Sequence, residues 1–317
     1  MSGSAKVIEL NMKMKIPKEK RIICISDIHG YLDLFLSLLD KIKFSDDDIL
    51  ILLGDFYTKG PKIHETLKYV IGLSQKQNVY VIRGNCDWII DNMQDSEKEW
   101  LENLPHIIKT DDYIFVHGGL SLNNLSDLSK QDAWECMKND AFMEKDLFFD
   151  KYIVTGHWPT VNYCHQIPCF NPIINDEKRI IAIDGGTIKS GGQLNAFIIN
   201  NDEFSFDCVD SLPVFRAEKN QSESGGTLNI TWNDRFIELI EKEKGGEFGI
   251  YKHIKTGQTL SIPNISVWTD ENGGLCSANL ATDYYLPVNA GDIISVDKRF
   301  SDKIFAKKDG VAGWINL

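Results

Sequence analysis

Three short apolar runs in the first third of the chain each end in polar residues. They cover Arg21 to Ser26, Ile49 to Leu53 and Val79 to Ile82. Their apolar positions do not alternate with polar ones, which is typical of strands buried on both faces. Apolar residues at helical spacing follow the first two runs, at Leu32 to Ile42 and at Ile63 to Ile71. This succession of strands and helices predicts an open α/β sheet.

The same patterns predict further elements as far as residue 208. They are a helix at Ser96 to Leu104, a hairpin of His106 to Lys109 with Tyr113 to Val116, a largely helical stretch near Gln131 to Lys145, strands at Tyr152 to Thr155 and Ile180 to Ile183, and a hairpin of Ala196 to Ile199 with Phe204 to Cys208. Polar residues again follow several of these strands directly.

The polar residues at the strand ends are candidates for a metal site. An open α/β sheet binds ligands at the carboxyl ends of its strands, and carboxylate and imidazole groups suit divalent metals. The carboxylate of Asp55 has two oxygens and can join two cations. Taken singly, each of these residues could simply be part of a turn. What argues against that role is that such residues recur at the ends of successive strands. The candidates are Asp27, His29, Asp55, Asn85, His117 and His157.

Other chemically active residues receive simpler interpretations. Asp184 follows a predicted strand, and we expect it to be a structural turn residue beside the site. The remaining histidines, His64, His106, His165 and His253, are expected at the surface or in packing. The seven cysteines form no CxxC pair, so we expect reduced thiols.

Length and composition narrow the class of protein. A chain of 317 residues with 43% hydrophobic content exceeds the usual single core, so we expect two domains. Its formal charge of −12, without a block of basic residues, argues against nucleic acid as a partner. Because Met1 to Lys20 has no apolar core of signal-peptide length and no apolar window approaches about 18 residues, we expect a cytoplasmic protein without membrane contact.

The composition changes after residue 215. Arg216 to Gly226 is polar and turn-rich and is predicted to be a linker between domains 1–215 and 227–317. Short strands separated by turns then predict a small all-β, barrel-like domain. These strands are Leu228 to Trp232, Phe236 to Glu241, Phe248 to Ile254, Leu286 to Val288, Asp292 to Val296, Ile304 to Lys307 and Val311 to Ile315, with turns at Asn233-Asp234-Arg235 and Asp309-Gly310.

The end of this region resembles bacterial SH3-like domains. The resemblance rests on Leu286-Pro287-Val288-x-x-Gly291-Asp292 and on Asp309-Gly310-x-x-Gly313-Trp314-Ile315. Two alternatives exist for the aromatic residues nearby, which either line a groove for a peptide partner or pack in a small core. They are Trp268, Tyr284, Tyr285 and Trp314.

The first two hundred residues resemble the calcineurin-like metallophosphoesterases, in their bacterial phosphoprotein-phosphatase-like branch. Five motifs carry the resemblance: Asp27-x-His29-Gly30, Gly54-Asp55, Gly84-Asn85, His117-Gly118-Gly119-Leu120-Ser121 and Gly156-His157. The resemblance implies two packed mixed β-sheets flanked by helices. It also implies two divalent transition-metal ions, with manganese expected and iron or zinc as alternatives. Asp27 and His29 would hold one metal, Asn85, His117 and His157 the other, and Asp55 would bridge them.

The sequence departs from the family pattern at the proton donor. In the family a histidine, oriented by an aspartate, protonates the leaving group, but these positions are Cys86 and Thr58. The phosphate-clamping arginine is replaced by Lys59, a point charge instead of a bidentate fork. Cys86 is a candidate weak acid or an additional ligand, and Asp87 is a second candidate acid.

Three functions follow as hypotheses. The first is a two-metal phosphoesterase in which a metal-bridging hydroxide attacks phosphomonoesters of proteins or small molecules. Aryl phosphates and phosphotyrosine would be favoured, because general-acid help is worth about 10²- to 10⁴-fold and these leaving groups need it least. The second is hydrolysis of dinucleoside polyphosphates. The third is a largely inactive phosphatase-like adaptor that acts through its β domain.

Overall fold

The computed structural model describes residues 3–9, 20–201, 203–242 and 246–317. The absence of a signal peptide was expected for residues 1–20. Of these, residues 1–2 and 10–19 lie outside the described part of the chain. The chain forms two compact units, of which the first comprises Met1–Thr160, Pro172–Ile188 and Gln193–Asp210. The second unit comprises Val161–Asn171, Lys189–Gly192 and Ser211–Leu317.

The first unit is built from two mixed β-sheets. Its strands are β1 (Val7–Glu9), β2 (Ile22–Ile25), β3 (Ile49–Leu52), β4 (Val79–Val81), β5 (Ile107–Lys109), β6 (Tyr113–Val116), β7 (Tyr152–Thr155), β8 (Ile173–Asn175), β9 (Ile180–Ala182), β10 (Leu194–Asn200) and β11 (Glu203–Val209). One sheet has the order β11-β10-β2-β3-β4 and the other β1-β5-β6-β7-β9-β8. Strands β2 to β4 run parallel, as do β6, β7 and β9, while β10 is antiparallel to β2. The predicted fold class of two mixed sheets with helices is confirmed.

The alternating sides of each strand explain why these runs are apolar throughout. Ile23 and Ile25 of β2 pack into the core that the helices cover. Ile22 and Cys24, which point the other way, pack with Phe115 and other residues of the second sheet. A strand with both faces covered needs apolar residues at every position.

The helices of the first unit are α1 (Leu32–Lys41), α2 (Ile63–Leu73), α3 (Asp95–Asn103) and α4 (Ala133–Met137). The predictions of the first three helices are confirmed to within about two residues. The prediction of a largely helical stretch at residues 131–145 is wrong, because only five residues there are α-helical. Asp132 caps this short helix, but Lys138 is extended and Ala141 is left-handed with φ of 53°, which ends the helical hydrogen-bond ladder. No α-helix among the described residues is long and apolar enough to cross a membrane.

The second unit is all-β, as the pattern predicts. Its strands are β12 (Val214–Arg216), β13 (Ile237–Lys242), β14 (Phe248–His253), β15 (Thr259–Pro263), β16 (Trp268–Thr269), β17 (Leu275–Cys276), β18 (Ile293–Arg299), β19 (Lys303–Lys308) and β20 (Val311–Asn316). They form sheets of the orders β12-β18-β19-β20, β13-β14-β15 and β16-β17. The turn predicted at Asp309-Gly310 is confirmed, with positive φ at both residues and β19 paired to β20.

Two details of this unit differ from the sequence predictions. Leu228 to Trp232 is not a strand, because Thr231 caps a short 3₁₀ turn at Trp232–Asp234 and β13 pairs with β14 instead. Leu286 to Val288 makes only single bridging contacts outside the regular strands.

The segment predicted as a linker is an ordered part of the second unit. Gln221 exchanges backbone hydrogen bonds with Val288, and Ala217 is buried. The division into domains 1–215 and 227–317 stays a prediction, as does the SH3-like resemblance. Of the four aromatic residues considered for a peptide groove, Tyr284 and Trp314 are buried, which supports core packing for these two.

Candidate metal centre

The polar residues at the strand ends of the first unit meet at one place. Asp27 and His29 follow β2, and Asp55 follows β3. Each residue has one ligand atom within 4.8 Å of the ligand atoms of the other two, and all three residues are buried. The loops continue the strand pairing, since the backbone N–H of His29 donates to the Asp55 carbonyl at 2.9 Å. The register of two parallel strands therefore fixes the three side chains together.

His29 lies against both carboxylates. Its Nε2 is 3.5 Å from Asp27 Oδ1 and 3.8 Å from Asp55 Oδ2. Its Nδ1 is buried and has no hydrogen-bond partner within the described part of the chain. Buried polar atoms are nearly always bonded, so an orphaned one indicates an unusual environment.

His117 connects the other sheet to this cluster. Its Nδ1 lies 2.5 Å from the Leu53 carbonyl, which can only accept, so Nδ1 carries the proton. The opposite nitrogen, Nε2, is 3.4 Å from Asp55 Oδ1 and 3.1 Å from Asn85 Oδ1. Asp55 thus lies between His29 on one side and His117 with Asn85 on the other, as a bridging ligand must.

His157 is adjacent to the group formed by Asp27, His29 and Asp55 but is not part of it. Its backbone N–H donates to Asp27 Oδ2 at 2.9 Å, and its ring lies 5.4 Å from the ring of His117, centroid to centroid. Its Nε2 is 2.7 Å from Asp140 Oδ1. The structure therefore brings all six predicted ligands to one place, with His157 on the outer side.

Five of the predicted site residues adopt the left-handed backbone conformation. Non-glycine residues rarely do so, and such strain concentrates at functional sites. The φ angles are 56° at Asp27, 48° at His29, 53° at Asp55, 77° at Lys59 and 64° at His157.

Two glycines allow the loops to approach this closely. A Cβ atom at position 84 would overlap the carboxylate and the backbone nitrogen of Asp55. A Cβ atom at position 156 would overlap the Ser26 hydroxyl and lie 2.6 Å from Asp27 Oδ2. The Gly84-Asn85 and Gly156-His157 motifs therefore need glycine for space and not for backbone freedom.

Asp87 holds the loop that carries Asp55. Its Oδ2 accepts hydrogen bonds from the backbone N–H groups of Asp55 and Gly84, each at 2.8 Å, and its Oδ1 accepts from Phe56 at 3.1 Å. Burial and the nearby Asp55 carboxylate raise the pKa of Asp87 to about 7. Because both oxygens face backbone donors, this geometry suits an anchor better than an acid that reaches a substrate.

The two positions of the family's acid dyad still touch. The Thr58 hydroxyl donates to the Cys86 carbonyl at 2.8 Å, and both residues are buried. The Asn85 side-chain amide donates to the Cys86 thiol at 3.2 Å, and the Lys59 amine lies near enough to the thiol for each group to shift the pKa of the other. Burial and the Asp55 carboxylate raise the pKa of Cys86 to about 12, so the thiol stays protonated in the metal-free protein.

The electrostatics of the cluster are those of a cation site. Burial by itself would raise the pKa values of Asp27 and Asp55, but the neighbouring imidazoles lower both, so the carboxylates stay charged. Burial would lower the pKa of His117, but Asp55 and Asp27 raise it to about 10. Buried carboxylates need a positive partner, which is a proton on His117 here and a metal ion when one binds.

The residues present fit a pair of divalent transition metals. Two buried carboxylates, three imidazoles and one amide oxygen form the donor set that borderline metals prefer. The Nε2 of His29, which faces both carboxylates, and the paired charges at Asp55 are further signs of a site made for a cation. Asp27, His29 and Asp55 would hold one ion, and Asp55, Asn85, His117 and His157 the other.

Sequence patterns did not reveal every residue at the site. Asp140 bonds His157 but lies in a polar stretch without a recognisable motif. The hydroxyl of Ser26 donates to Asp27 Oδ2 at 2.5 Å, and its place directly before Asp27 was the only available signal. Asp184 is buried and accepts from the Gly186 backbone N–H at 2.7 Å, in agreement with the predicted turn.

The four histidines assigned to the surface or to packing lie as expected. His64 and His165 are exposed. His106 is buried and accepts from the Lys6 backbone N–H, and His253 is buried beside Thr256.

The chain is similar in sequence to known phosphoesterases. A family model described as calcineurin-like phosphoesterase matches residues 20–186. A bis(5'-nucleosyl)-tetraphosphatase, symmetrical, from Vibrio campbellii is 29% identical over 119 residues, which cover 31% of this chain and 44% of that protein. A protein of the same name from Buchnera aphidicola subsp. Baizongia pistaciae is 34% identical over 97 residues, which cover 29% of this chain and 34% of that protein. The chain thus matches less than half the length of each relative.

A solved structure also shares the fold. It is that of a provisionally assigned diadenosine tetraphosphatase, and it superimposes with a TM-score of 0.51 at 18% sequence identity. The match covers 65% of this chain and 99% of the other. At this level of identity the similarity concerns the fold alone.

Proposed function

The chain belongs to the calcineurin-like phosphoesterase family, and we propose that it is a two-metal hydrolase for phosphate compounds whose leaving group departs as a stable anion. Dinucleoside polyphosphates are the first candidate substrates, and aryl phosphomonoesters, including phosphotyrosine, are the second. We propose manganese as the working metal.

The observation that carries this proposal is the replacement of the acid dyad. Thr58 and Cys86 occupy its two positions, and the Thr58 hydroxyl is bound to the Cys86 carbonyl at 2.8 Å. Asp87, the other candidate acid, has both oxygens on backbone N–H groups. A general acid is worth about 10²- to 10⁴-fold in rate, so its loss disfavours substrates that leave as an alkoxide. A nucleotide phosphate or a phenolate leaves without a proton.

The protein's own residues have defined tasks in this proposal. When bound, two divalent cations supply a water of lowered pKa and neutralise charge on the phosphate oxygens. Asp55 and the histidines hold the cations, and Asp87 fixes the backbone on which Asp55 sits. Burial lowers the pKa of Lys59, but Cys86 and then the Asp55 and Asp27 carboxylates raise it above its usual value, so Lys59 adds a positive charge near the site. This charge favours an anionic substrate within an otherwise acidic protein.

The names of the relatives favour a phosphoanhydride as substrate. Both curated relatives are named as symmetrical bis(5'-nucleosyl)-tetraphosphatases. Their hydrolysis of a phosphoanhydride would release a nucleotide that leaves as an anion. The missing acid dyad and the names of these relatives both favour a leaving group that departs as a stable anion without needing a proton.

Substrate comparison under one set of conditions tests the proposal. Turnover is measured with Mn²⁺ on diadenosine tetraphosphate, on p-nitrophenyl phosphate and on a phosphoserine peptide, with Asp55→Asn as the blank. We expect the first two to exceed the phosphoserine peptide by at least about 100-fold in kcat/KM. Equal rates on the phosphoserine peptide would contradict the leaving-group argument. No turnover of any substrate by protein that holds two cations would contradict the hydrolase itself.

A further inference from the structure

Asp140 contacts one ring nitrogen of His157, Nε2. Asp140 Oδ1 is 2.7 Å from His157 Nε2, and the side chain of His157 is 8% exposed while that of Asp140 is 46% exposed. Asp140 is partly exposed and forms an ion pair with Lys138, so its carboxylate is charged at neutral pH and can only accept a hydrogen bond. Nε2 of His157 must therefore carry the proton in this contact.

The proton on Nε2 leaves Nδ1 of His157 as the nitrogen available to a ligand. No hydrogen bond joins Nδ1 to any residue that the structure describes. In His117 the two ring nitrogens have the opposite roles, since Nδ1 bonds the Leu53 carbonyl and Nε2 faces Asp55 and Asn85. The two histidines thus have opposite nitrogens held from outside, with their rings 5.4 Å apart.

The segment that carries Asp140 is fixed against the His117 loop. The Gly118 backbone N–H donates to the Cys136 carbonyl at 2.6 Å. A Cβ atom at position 118 would come within 2.8 Å of the backbone of residues 137–139. Lys138 Nζ adds an ion pair to Asp140 Oδ1 at 2.8 Å. Asp140 is therefore held in position by the backbone as well as by a charge partner.

We propose that Asp140 is a positioning residue that holds His157 in the Nε2–H tautomer and so presents Nδ1 to the second cation. The inference rests on the proposed function, because it assigns a partner to one ligand of that site. Carboxylates that bond the outer nitrogen of a ligating histidine fix its orientation and raise its basicity. Loss of such a partner typically lowers metal affinity by about 10- to 100-fold.

Titration of the metal-free protein with Mn²⁺ tests this role without measuring activity. We expect wild type to bind two cations, and Asp140→Ala to bind the first cation normally and the second about 10- to 100-fold more weakly. Asp140→Asn retains an oxygen acceptor and should lose less. Lys138→Met is the matched control, because it removes the other partner of Asp140 without touching the imidazole. Thermal unfolding of each variant checks that it is folded.

A second measurement separates this inference from the proposed function. Long-range ¹H–¹⁵N spectra of metal-free protein report which nitrogen of His157 is protonated. We expect Nε2–H in wild type and a mixture of tautomers in Asp140→Ala. An Nδ1–H tautomer in wild type, or unchanged second-site affinity in Asp140→Ala, would overturn the role of Asp140 alone. If the wild-type protein binds fewer than two cations while His157 still carries its proton on Nε2, the proposed function is overturned. The hydrogen bond between Asp140 and His157 is then still supported.

Discussion

The carboxylate of Asp87 holds the backbone of Asp55, with 2.8 Å between Asp87 Oδ2 and the Asp55 nitrogen. The same carboxylate accepts from the backbone N–H groups of Gly84 and Phe56. It therefore joins the loop after β4 to the loop after β3. The residue proposed to bridge two cations is thus positioned by a neighbour whose two oxygens bond backbone N–H groups.

This contact predicts the effect of replacing Asp87. In Asp87→Asn the amide nitrogen is a donor facing backbone donors, so one hydrogen bond is lost if it replaces Oδ1 and two are lost if it replaces Oδ2. We expect a loss of about 1–3 kcal/mol in the free energy of unfolding and a fall in kcat of about tenfold or more. Urea unfolding and steady-state kinetics measure both. Asp91→Asn, at an exposed position four residues away, should change neither.

Gly84 offers a sharper test of the close approach to Asp55. Gly84→Ala places a methyl group on the Asp55 carboxylate, so we expect the variant to lose most metal binding and activity. Gly72→Ala in α2 meets no atom within 4 Å and should stabilise the protein by about 0.5–1 kcal/mol with full activity. Metal content after dialysis, followed by assay, compares the pair. Full metal content in Gly84→Ala would contradict this prediction, because it would show that the loops carrying Gly84 and Asp55 can move apart without loss of the metal site.

Restoring the acid dyad should change the substrate preference. The Thr58→Asp, Cys86→His double variant puts an acid pair at two positions that already adjoin, since the Thr58 side chain bonds the Cys86 backbone carbonyl. We expect its rate on a phosphoserine peptide, relative to p-nitrophenyl phosphate, to rise by about 10- to 100-fold. Cys86→Ala should leave this ratio unchanged. An unchanged ratio in a double variant that still binds two cations would mean that proton donation does not limit alkyl substrates.

His106 predicts a pH dependence of folding. Burial and the nearby positive charges of Arg83 and Lys6 lower its pKa from 6.5 to about 4. Between these values the unfolded chain binds a proton that the folded chain does not, so stability present above about pH 6.5 is lost as the pH falls towards 4.

Replacement of His106 isolates this effect from other titrating groups. In His106→Gln the dependence due to this group disappears, so the difference in unfolding free energy between wild type and variant should change by up to about 1.4 kcal/mol per pH unit in this window. Denaturant unfolding at several pH values measures it. A difference that stays constant with pH would contradict the assignment.

Much of the site could be predicted because parallel strands deliver their last residues to one edge. Asp27, Asp55 and Asn85 each follow a run of apolar residues that is buried on both faces, so strand position and strand end were visible in the sequence. His117 and His157 follow two parallel strands of the second sheet in the same way. The periodicity alone could not show which histidine nitrogen faces the site.

The remainder depends on contacts between distant residues. Asp140 reaches His157 across 17 positions from a polar segment in which no pattern distinguishes it. Residues 161–171, which lie between β7 and β8, belong to the second unit, although nothing in their composition separates them from the first. A 3₁₀ turn at Trp232–Asp234 lies where a hairpin turn was predicted, because Asp234 Oδ1 accepts hydrogen bonds from the backbone N–H and the hydroxyl of Thr231.

Anomalous X-ray scattering from crystals grown with Mn²⁺ tests the central claim most directly, because it locates each cation relative to its ligands. We predict two peaks, one bonded by Asp27, His29 and Asp55 and the other by Asp55, Asn85, His117 and His157. A map without a peak at Asp55, or with a single peak that leaves Asn85 and His117 unbound, would contradict a two-metal site.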